Sequence, residues 1–132
     1  GIFGEGVLGK GTARIARGFG MKVLFADHPG PKAPGVDFTP VDQVLAESDI
    51  ISLHCPLTAD SRNMFGLAQF RRMKRSAILI NTARGGLVNE DDLRDEQEHA
   101  FRDPVVSWLA HERFIPVRVA RNSRASCGCS RV

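Results

Sequence analysis

The sequence has few cysteines, no apolar segment long enough to cross a bilayer, and no charged-then-apolar leader at its start. Its three cysteines, Cys55, Cys127 and Cys129, are an odd number, which does not suit a disulfide scaffold. A reducing, cytoplasmic setting is therefore expected. Cys127 and Cys129 are separated by one residue and have no second pair, so no metal site is predicted. No stretch approaches the ~20 apolar residues of a membrane span, and no membrane partner is expected.

The composition is that of a globular domain, with 42% hydrophobic and 25% charged residues among 132. The formal net charge of +3 is unevenly distributed. Residues 1–99 carry 12 Lys and Arg against 13 Asp and Glu, whereas residues 100–132 carry 6 Arg against 2 acids. An Arg-rich segment can contact nucleic acid, but few aromatic residues are interleaved here, so no nucleic-acid partner is predicted.

Strand and helix signals alternate along residues 1–99. Continuous apolar strands between helical segments predict a parallel sheet covered on both faces. The first strand has no initiator Met before it, so we expect it to be cut midway. The predicted fold class is α/β, a truncated doubly wound, Rossmann-like parallel sheet. The predicted strands lie at 2–3, 23–26, 36–38, 49–54 and 77–80.

The helices between these strands carry recognisable end signals. Gly20 closes the first helix, and Thr39 is expected to cap the second, with Pro40 in its first turn. A short amphipathic helix is predicted over residues 67–73, and Asn89 is expected to cap the last helix. The apolar positions that mark the first helix are Leu8, Ile15, Ala16 and Phe19.

The alternation of strand and helix signals ends at about residue 95. Segments 104–106 and 114–117 could be strands, but no periodic helix links them, and residues 122–131 have almost nothing to bury. We therefore divide the chain into a partial dinucleotide-binding domain at 1–99 and an unmatched Arg-rich tail at 100–132, expected to be disordered. The composition of the tail also suits the hypothesis of an out-of-frame reading of a GC-rich gene.

A glycine-rich turn follows the first strand and opens the first helix. Residues 4–9 have the pattern G-x-G-x-x-G, in which Gly4 permits the tight turn and Gly6 lets the backbone approach a pyrophosphate. Gly9 lets the helix pack closely on the sheet, and the helix N-terminus favours phosphate. Asp27 ends the next strand and can accept hydrogen bonds from the adenosine ribose hydroxyls. Its charge repels a 2′-phosphate, which favours NAD over NADP.

Two alternatives remain open for this turn. It could bind nothing, with Asp27 a solvated loop acid. It could also bind S-adenosylmethionine in a methyltransferase, which uses a glycine turn and an acid after the second strand. A methyltransferase does not explain the second glycine turn of the chain.

That second turn, at residues 81–88, follows the fully apolar strand at 77–80. Ligands of open α/β sheets bind beyond the carboxyl ends of strands, so we expect Arg84 to point into the same crevice as the first turn. A guanidinium binds a small carboxylate through a bidentate fork. The alternative is that Arg84 is a surface residue in a salt bridge.

The sequence blocks taken together resemble the NAD-binding domain of the D-isomer-specific 2-hydroxyacid dehydrogenases. The resemblance covers roughly residues 1–94, and the segment 26–28 with the Pro-rich loop after it is most similar to the glycerate dehydrogenase (hydroxypyruvate reductase) branch. The blocks that carry the family resemblance are residues 4–9, 19–23, 52–58 and 81–88.

The resemblance implies roles for individual residues. Arg84 corresponds to the substrate arginine of the family, which holds the carboxylate and polarises the reacting carbonyl, and it is the one catalytic residue predicted. His54 is expected to be structural. The cofactor-binding residues that the resemblance and the glycine turn predict are Gly4, Gly6, Val7, Leu8, Gly9, Asp27, Cys55, Pro56, Thr82 and Ala83.

The expected activity is hydride transfer between NAD(H) and a small 2-hydroxy or 2-oxo acid, with D-glycerate and hydroxypyruvate preferred. Such a reduction also needs a general acid, for which the family uses a Glu and a His. Beyond Leu93 no segment matches the one that carries the Glu in the family, and no His stands in the family's setting. His111 and Glu112 do not replace them, because adjacent residues of a helix or strand do not face one another. The chain alone is therefore expected to be inactive, and full-length relatives are expected to be homodimers. An NAD-sensing regulatory module is the alternative.

Overall fold

Strands and helices alternate along the first hundred residues, as the apolar pattern predicts. The computed structural model describes residues 1–100, 106–111 and 114–120, with side chains described over residues 1–96. The strands are β1 (Ile2–Phe3), β2 (Phe25–Ala26), β3 (Phe38–Thr39), β4 (Ile50–Leu53), β5 (Ile78–Asn81), β6 (Val106–His111) and β7 (Phe114–Ala120). The helices are α1 (Val7–Gly18), α2 (Val41–Glu47), α3 (Leu67–Arg72) and α4 (Glu90–Ala100), with a 3-10 turn at Gly85–Leu87.

The strands form one sheet in the order β3-β2-β1-β4-β5-β7-β6. The first five strands of this order are parallel, and Ile2 of β1 pairs with Phe25 on one side and Ser52 on the other. The order 3-2-1-4-5 is that of a doubly wound dinucleotide-binding sheet, so the predicted fold class is confirmed. β2 and β3 lie on one side of β1 and β4 and β5 on the other, so the order in which strands are added reverses at β1 and leaves a crevice at the carboxyl ends of the strands there.

The remaining two strands lie in the segment that we expected to be disordered. β7 pairs antiparallel with β5, where Ile80 lies opposite Val117, and β6 pairs antiparallel with β7. Two residues join β6 to β7, which is too short for a parallel crossover. The structure therefore differs from the expectation over these strands, and residues 101–105, 112–113 and 121–132 lie outside the described part. Glu112, Cys127 and Cys129 belong to those residues.

The core lies on the face of the sheet that α2 and α3 cover. Ile51 and Leu53 of β4 are fully buried there. The Phe65 ring, also fully buried, contacts the Phe3 ring of β1 edge to face, with 4.9 Å between ring centroids. This packing fixes β1 beside β4 and so positions the turn that follows each strand.

Helix α1 buries its small residues and leaves its large apolar residues exposed. Leu8, Ile15 and Phe19 are 72%, 62% and 79% exposed, whereas Gly9 and Ala13 are buried. Small side chains let the helix backbone approach the sheet, where Ala13 packs in one cluster with residues of β1 and β2. The apolar periodicity of the sequence thus predicts the helix correctly but not its buried face.

The helix ends agree with the sequence at two of three places. Gly20 has φ +76° just beyond α1, and the Asn89 Oδ1 accepts hydrogen bonds from two N–H groups of α4. The prediction of Thr39 as the cap of α2 is wrong, because Thr39 belongs to β3 and Pro40 precedes the helix without a side-chain cap. In the part of the chain that the structure describes, no helix is long and apolar enough to span a membrane.

Candidate functional site

A cleft of about 510 Å³ opens at the carboxyl ends of β1, β2 and β4. Its walls are the glycine turn after β1, the loop after β2 and the segment after β4. The cleft therefore lies where the sheet order predicts a ligand. The predicted site residues that line it are Gly4, Gly6, Asp27, Cys55 and Pro56.

Each glycine of the turn has a different local reason to be glycine. Gly4 has φ +103°, and a Cβ there would lie 2.8 Å from the carbonyl carbon of His54. A Cβ on Gly9 would lie 1.9 Å from the Gly4 carbonyl oxygen, so only glycine allows this approach of α1 to the turn. Gly6 faces open space instead, with nothing within 4 Å of an added Cβ. Space beside the backbone is what a pyrophosphate needs for close approach.

The first turn of α1 presents uncapped N–H groups. Gly6 is the residue before the helix and makes no side-chain capping hydrogen bond, and no acid lies in the first helical turn. Val7 and Leu8 are strongly exposed there. The partial positive charge of the helix N-terminus therefore reaches solvent beside the cleft, in the position that suits an anion.

Asp27 follows β2 on the opposite wall of the cleft. Its backbone N–H donates to the Thr39 carbonyl at 2.8 Å, which fixes the residue through the pairing of β2 with β3. Its Oδ1 accepts hydrogen bonds from the His28 N–H at 2.8 Å and from the Lys32 ammonium at 2.5 Å. The Lys32 hydrogen bond is the main cause that lowers the pKa of Asp27, so the carboxylate is ionised at neutral pH.

A histidine–carboxylate pair joins the glycine turn to the loop after β2. The His28 Nε2 lies 2.9 Å from the Glu5 Oε1, and its Nδ1 lies 2.9 Å from the Pro29 carbonyl oxygen. The contact with Pro29 is the largest cause that raises the pKa of His28; partial burial opposes it and Glu5 adds to it. Burial alone would raise the pKa of Glu5, but hydrogen bonds from its own N–H and from His28 outweigh burial and lower it.

Sequence reasoning missed this pair, because the two residues are 23 positions apart and meet only through the register of β1 with β2. The signal that could have found it is a charged residue between the two glycines of the turn, together with a histidine directly after Asp27.

The third wall holds His54 and Cys55. The His54 N–H donates to the Phe3 carbonyl at 2.7 Å, and its Nε2 lies 2.9 Å from the Ser52 Oγ. Burial lowers the pKa of His54, which keeps the ring neutral. Burial likewise raises the pKa of the Cys55 thiol, whose sulfur lies 3.6 Å from the Met64 sulfur. Both residues thus present neutral side chains to the cleft.

The second turn is held by Asn81, which is fully buried at the end of β5. Its Nδ2 donates to the Arg84 carbonyl at 2.8 Å, and its Oδ1 accepts from the Ala83 N–H at 3.1 Å. We call residues 82–86 the Arg84 turn. The exposed Arg84 guanidinium donates to the Ala83 carbonyl at 2.8 Å and does not line the first cleft, so its role toward a ligand there stays a prediction. Sequence reasoning placed Asn81 in the turn but did not predict its supporting role.

The structure thus brings together only part of the predicted site. Among the residues with described side chains, no cluster of three His, Cys, Asp or Glu could hold a metal ion. Val7 and Leu8 lie on the exposed first turn of α1, and Gly9 is buried beneath it. The predicted site residues outside the cleft wall are Val7, Leu8, Gly9, Thr82, Ala83 and Arg84.

The sheet order, the glycine turn at the start of α1 and the acid after β2 define a dinucleotide-binding α/β domain. Residues 1–100 match the family model described as D-isomer specific 2-hydroxyacid dehydrogenase, NAD binding domain. The chain belongs to this family and carries its NAD-binding domain, so the predicted family and cofactor are confirmed.

Individual relatives agree with this assignment. A glycerate dehydrogenase of Methylorubrum extorquens is 52% identical over 90 residues, which are 68% of this chain and 27% of the relative. A glyoxylate reductase of Korarchaeum cryptofilum is 46% identical over 97 residues, 70% of this chain and 29% of the relative. The crystal structure of D-lactate dehydrogenase with NAD+ from Lactobacillus jensenii superposes with a TM-score of 0.66 at 42% identity, covering 74% of this chain and 30% of that one. The chain therefore spans less than a third of the length of these relatives.

Proposed function

We propose that this chain is the cofactor-binding part of an oxidoreductase that transfers a hydride between NAD(H) and a small 2-hydroxy or 2-oxo acid. The observation that carries the proposal is the pairing, across one cleft, of an uncapped helix N-terminus with an ionised carboxylate. The first suits a pyrophosphate, and the second suits the two hydroxyls of a ribose.

In this proposal the adenosine half of NAD occupies the cleft. The N–H groups at Val7 and Leu8 bind the pyrophosphate, which approaches over the open side of Gly6. Asp27 accepts hydrogen bonds from the ribose, and Cys55 and Pro56 line the adenine side. Thr82 and Ala83, on the next loop along the sheet, contact the nicotinamide half.

Arg84 is the proposed substrate residue. NAD(H) supplies the hydride, and a guanidinium fork beside the nicotinamide holds the substrate carboxylate and polarises the carbonyl. Arg84 needs only to exchange its hydrogen bond with the Ala83 carbonyl for one with the substrate, because its side chain is exposed. The Glu5–His28 pair lies beside Asp27, at the ribose end, so we do not assign it the role of proton donor. The 52% identity with a glycerate dehydrogenase supports D-glycerate and hydroxypyruvate as the substrate pair.

Titration of the purified chain with NAD+ tests the cofactor role. Asp27→Ala removes charge-assisted hydrogen bonds to the ribose, and we expect it to weaken NAD+ binding by about 10- to 100-fold. We expect the same substitution to weaken NADP+ binding less than it weakens NAD+ binding. Asp42→Ala is the matched control, because Asp42 is an exposed acid of α2 paired with Arg72. Equal NAD+ affinity in Asp27→Ala and the control would contradict the proposed role of Asp27.

A second candidate is an NAD-responsive binding module without catalysis. The observation that favours it is the Arg84 guanidinium, which contacts its neighbour's carbonyl rather than the cleft. The two functions are separated by titrating hydroxypyruvate into the NAD+-saturated chain, because the chain alone is expected to lack turnover. Hydroxypyruvate binding that Arg84→Met weakens supports the enzyme, whereas NAD+ binding without hydroxypyruvate binding supports the module.

A further inference from the structure

Asp27 does not face the cleft as an isolated negative charge. The Lys32 ammonium lies 2.5 Å from its Oδ1 and over the Phe38 ring, 5.4 Å from the ring centre. A cation between a carboxylate and an aromatic face is held by both. Lys32 comes from the Pro-rich loop after β2, whereas Phe38 belongs to β3, so the loop and the sheet edge together place this charge.

The hydrogen bonds to the carboxylate go to one of its oxygens. The N–H of His28 and the Lys32 ammonium both donate to Oδ1, and among the described residues no hydrogen bond to Oδ2 is present. Oδ2 is therefore available to a ribose hydroxyl while Lys32 stays in place. Lys32 is also 44% exposed, so its flexible side chain can move without unpacking the fold.

The repulsion that excludes a 2′-phosphate depends on the net charge at this position. A free Asp presents a full negative charge, but an Asp with an ammonium at hydrogen-bond distance presents a neutral pair. A phosphate on the ribose 2′-oxygen would come within reach of the same ammonium, which binds phosphate as a point charge.

We propose that Lys32 is a specificity-determining residue, whose ammonium lets the adenosine end of the cleft accept the 2′-phosphate of NADP as well as the free ribose of NAD. The inference rests on the proposed function, because it takes the cleft beside Asp27 as the adenosine site. In the NAD complex Lys32 stays on the Asp27 Oδ1, and in the NADP complex it turns from Asp27 to the phosphate.

The test is the ratio of NADP+ to NAD+ dissociation constants for the full chain and for Lys32→Met, which keeps the length of the side chain but removes its charge. We expect the wild-type ratio to be within about tenfold of one, and Lys32→Met to raise it by about tenfold or more, mainly through weaker NADP+ binding. Lys22→Met is the control, because Lys22 forms a comparable exposed ion pair with Glu47 away from the cleft, and it should leave the ratio unchanged.

The outcomes separate this inference from the proposed function. Binding of NAD+ without detectable NADP+ binding, or an unchanged ratio in Lys32→Met, overturns the role of Lys32 and leaves the proposed function standing. Absence of binding for both dinucleotides overturns both proposals. An equal shift in Lys22→Met would assign the effect to overall charge and overturn the specific role of Lys32.

Discussion

The first cleft and the Arg84 turn lie at the same edge of the sheet but are built in different ways. At the cleft, charged side chains are already engaged with partners from other elements: Glu5 contacts His28, and Lys32 contacts Asp27. In the Arg84 turn the backbone is fixed by buried Asn81, but the arginine side chain contacts only the carbonyl of its neighbour among the described residues.

In the proposed function, this difference separates cofactor binding from substrate binding. In that proposal the adenosine end is formed by residues of β1, β2 and β4 and the loops after them. The substrate end needs an arginine and also groups that orient a reacting carbonyl and donate a proton. In the proposed function the described residues hold the adenosine end, and Arg84 is the residue they supply to the substrate end.

The largest loss of stability is expected from a substitution in the glycine turn that lines the cleft. Gly9→Ala places a Cβ against the Gly4 carbonyl oxygen, where backbone must move, and we expect a loss of about 3 kcal/mol in the free energy of unfolding. Urea unfolding measures this loss. Gly11→Ala is the control in the same helix, because its added Cβ meets nothing within 4 Å. A Gly9→Ala midpoint equal to that of wild type would contradict the packing described for the turn.

A smaller loss of stability is expected from a substitution that releases the Arg84 turn. Asn81→Ala removes two hydrogen bonds from a buried position, and we expect it to lower the free energy of unfolding by about 2 kcal/mol. Hydrogen exchange at the Ala83 N–H should accelerate beyond what this global loss explains. Asn89→Ala, which removes the cap of α4, is the control that should leave that local exchange unaffected. Unchanged protection at Ala83 would show that Asn81 does not hold the turn.

The smallest effect concerns the pH dependence of the Glu5–His28 pair. Because the pKa of His28 is raised on folding, its contribution to stability is present below its ordinary pKa of about 6.5 and is lost as the pH rises through the raised value. The contribution of Glu5, whose pKa is lowered, is present above its ordinary pKa and is lost as the pH falls through the lowered value.

His28→Gln should therefore lower stability most between the ordinary pKa values of Glu5 and His28, by less than about 1 kcal/mol because the pair is partly exposed. Urea unfolding at about pH 5.5 and about pH 9 compares the variant with wild type. NMR titration of the His28 ring protons is the direct check, since a pKa at or below 6.5 would contradict the pairing.

Local sequence signals predicted the features that depend on neighbouring residues. Contacts between residues a few positions apart determine three of these features: the glycine spacing of residues 4–9, the end of α1 at Gly20 and the cap of α4 at Asn89. The contacts that shape the cleft join residues that are distant in sequence, such as Glu5 and His28, and sheet register sets them.

The face of α1 is a second feature that the sequence could not decide. Periodicity reports which residues share a side of a helix, but the distance between helix and sheet decides which side is buried. Here the small Gly9 and Ala13 allow close approach, and Phe19 is left exposed. The pairing of β7 with β5 joins segments that are distant in sequence, and no helical pattern between them predicts it.

In the proposed function Asp27 binds the cofactor, whereas Arg84 binds the substrate. Calorimetric titration of NAD+ into wild type, Asp27→Ala and Arg84→Met separates these two roles. This division of roles predicts binding to wild type, an affinity about 10- to 100-fold lower for Asp27→Ala, and no change for Arg84→Met. Absence of binding to wild type, or a larger loss in Arg84→Met than in Asp27→Ala, would contradict it.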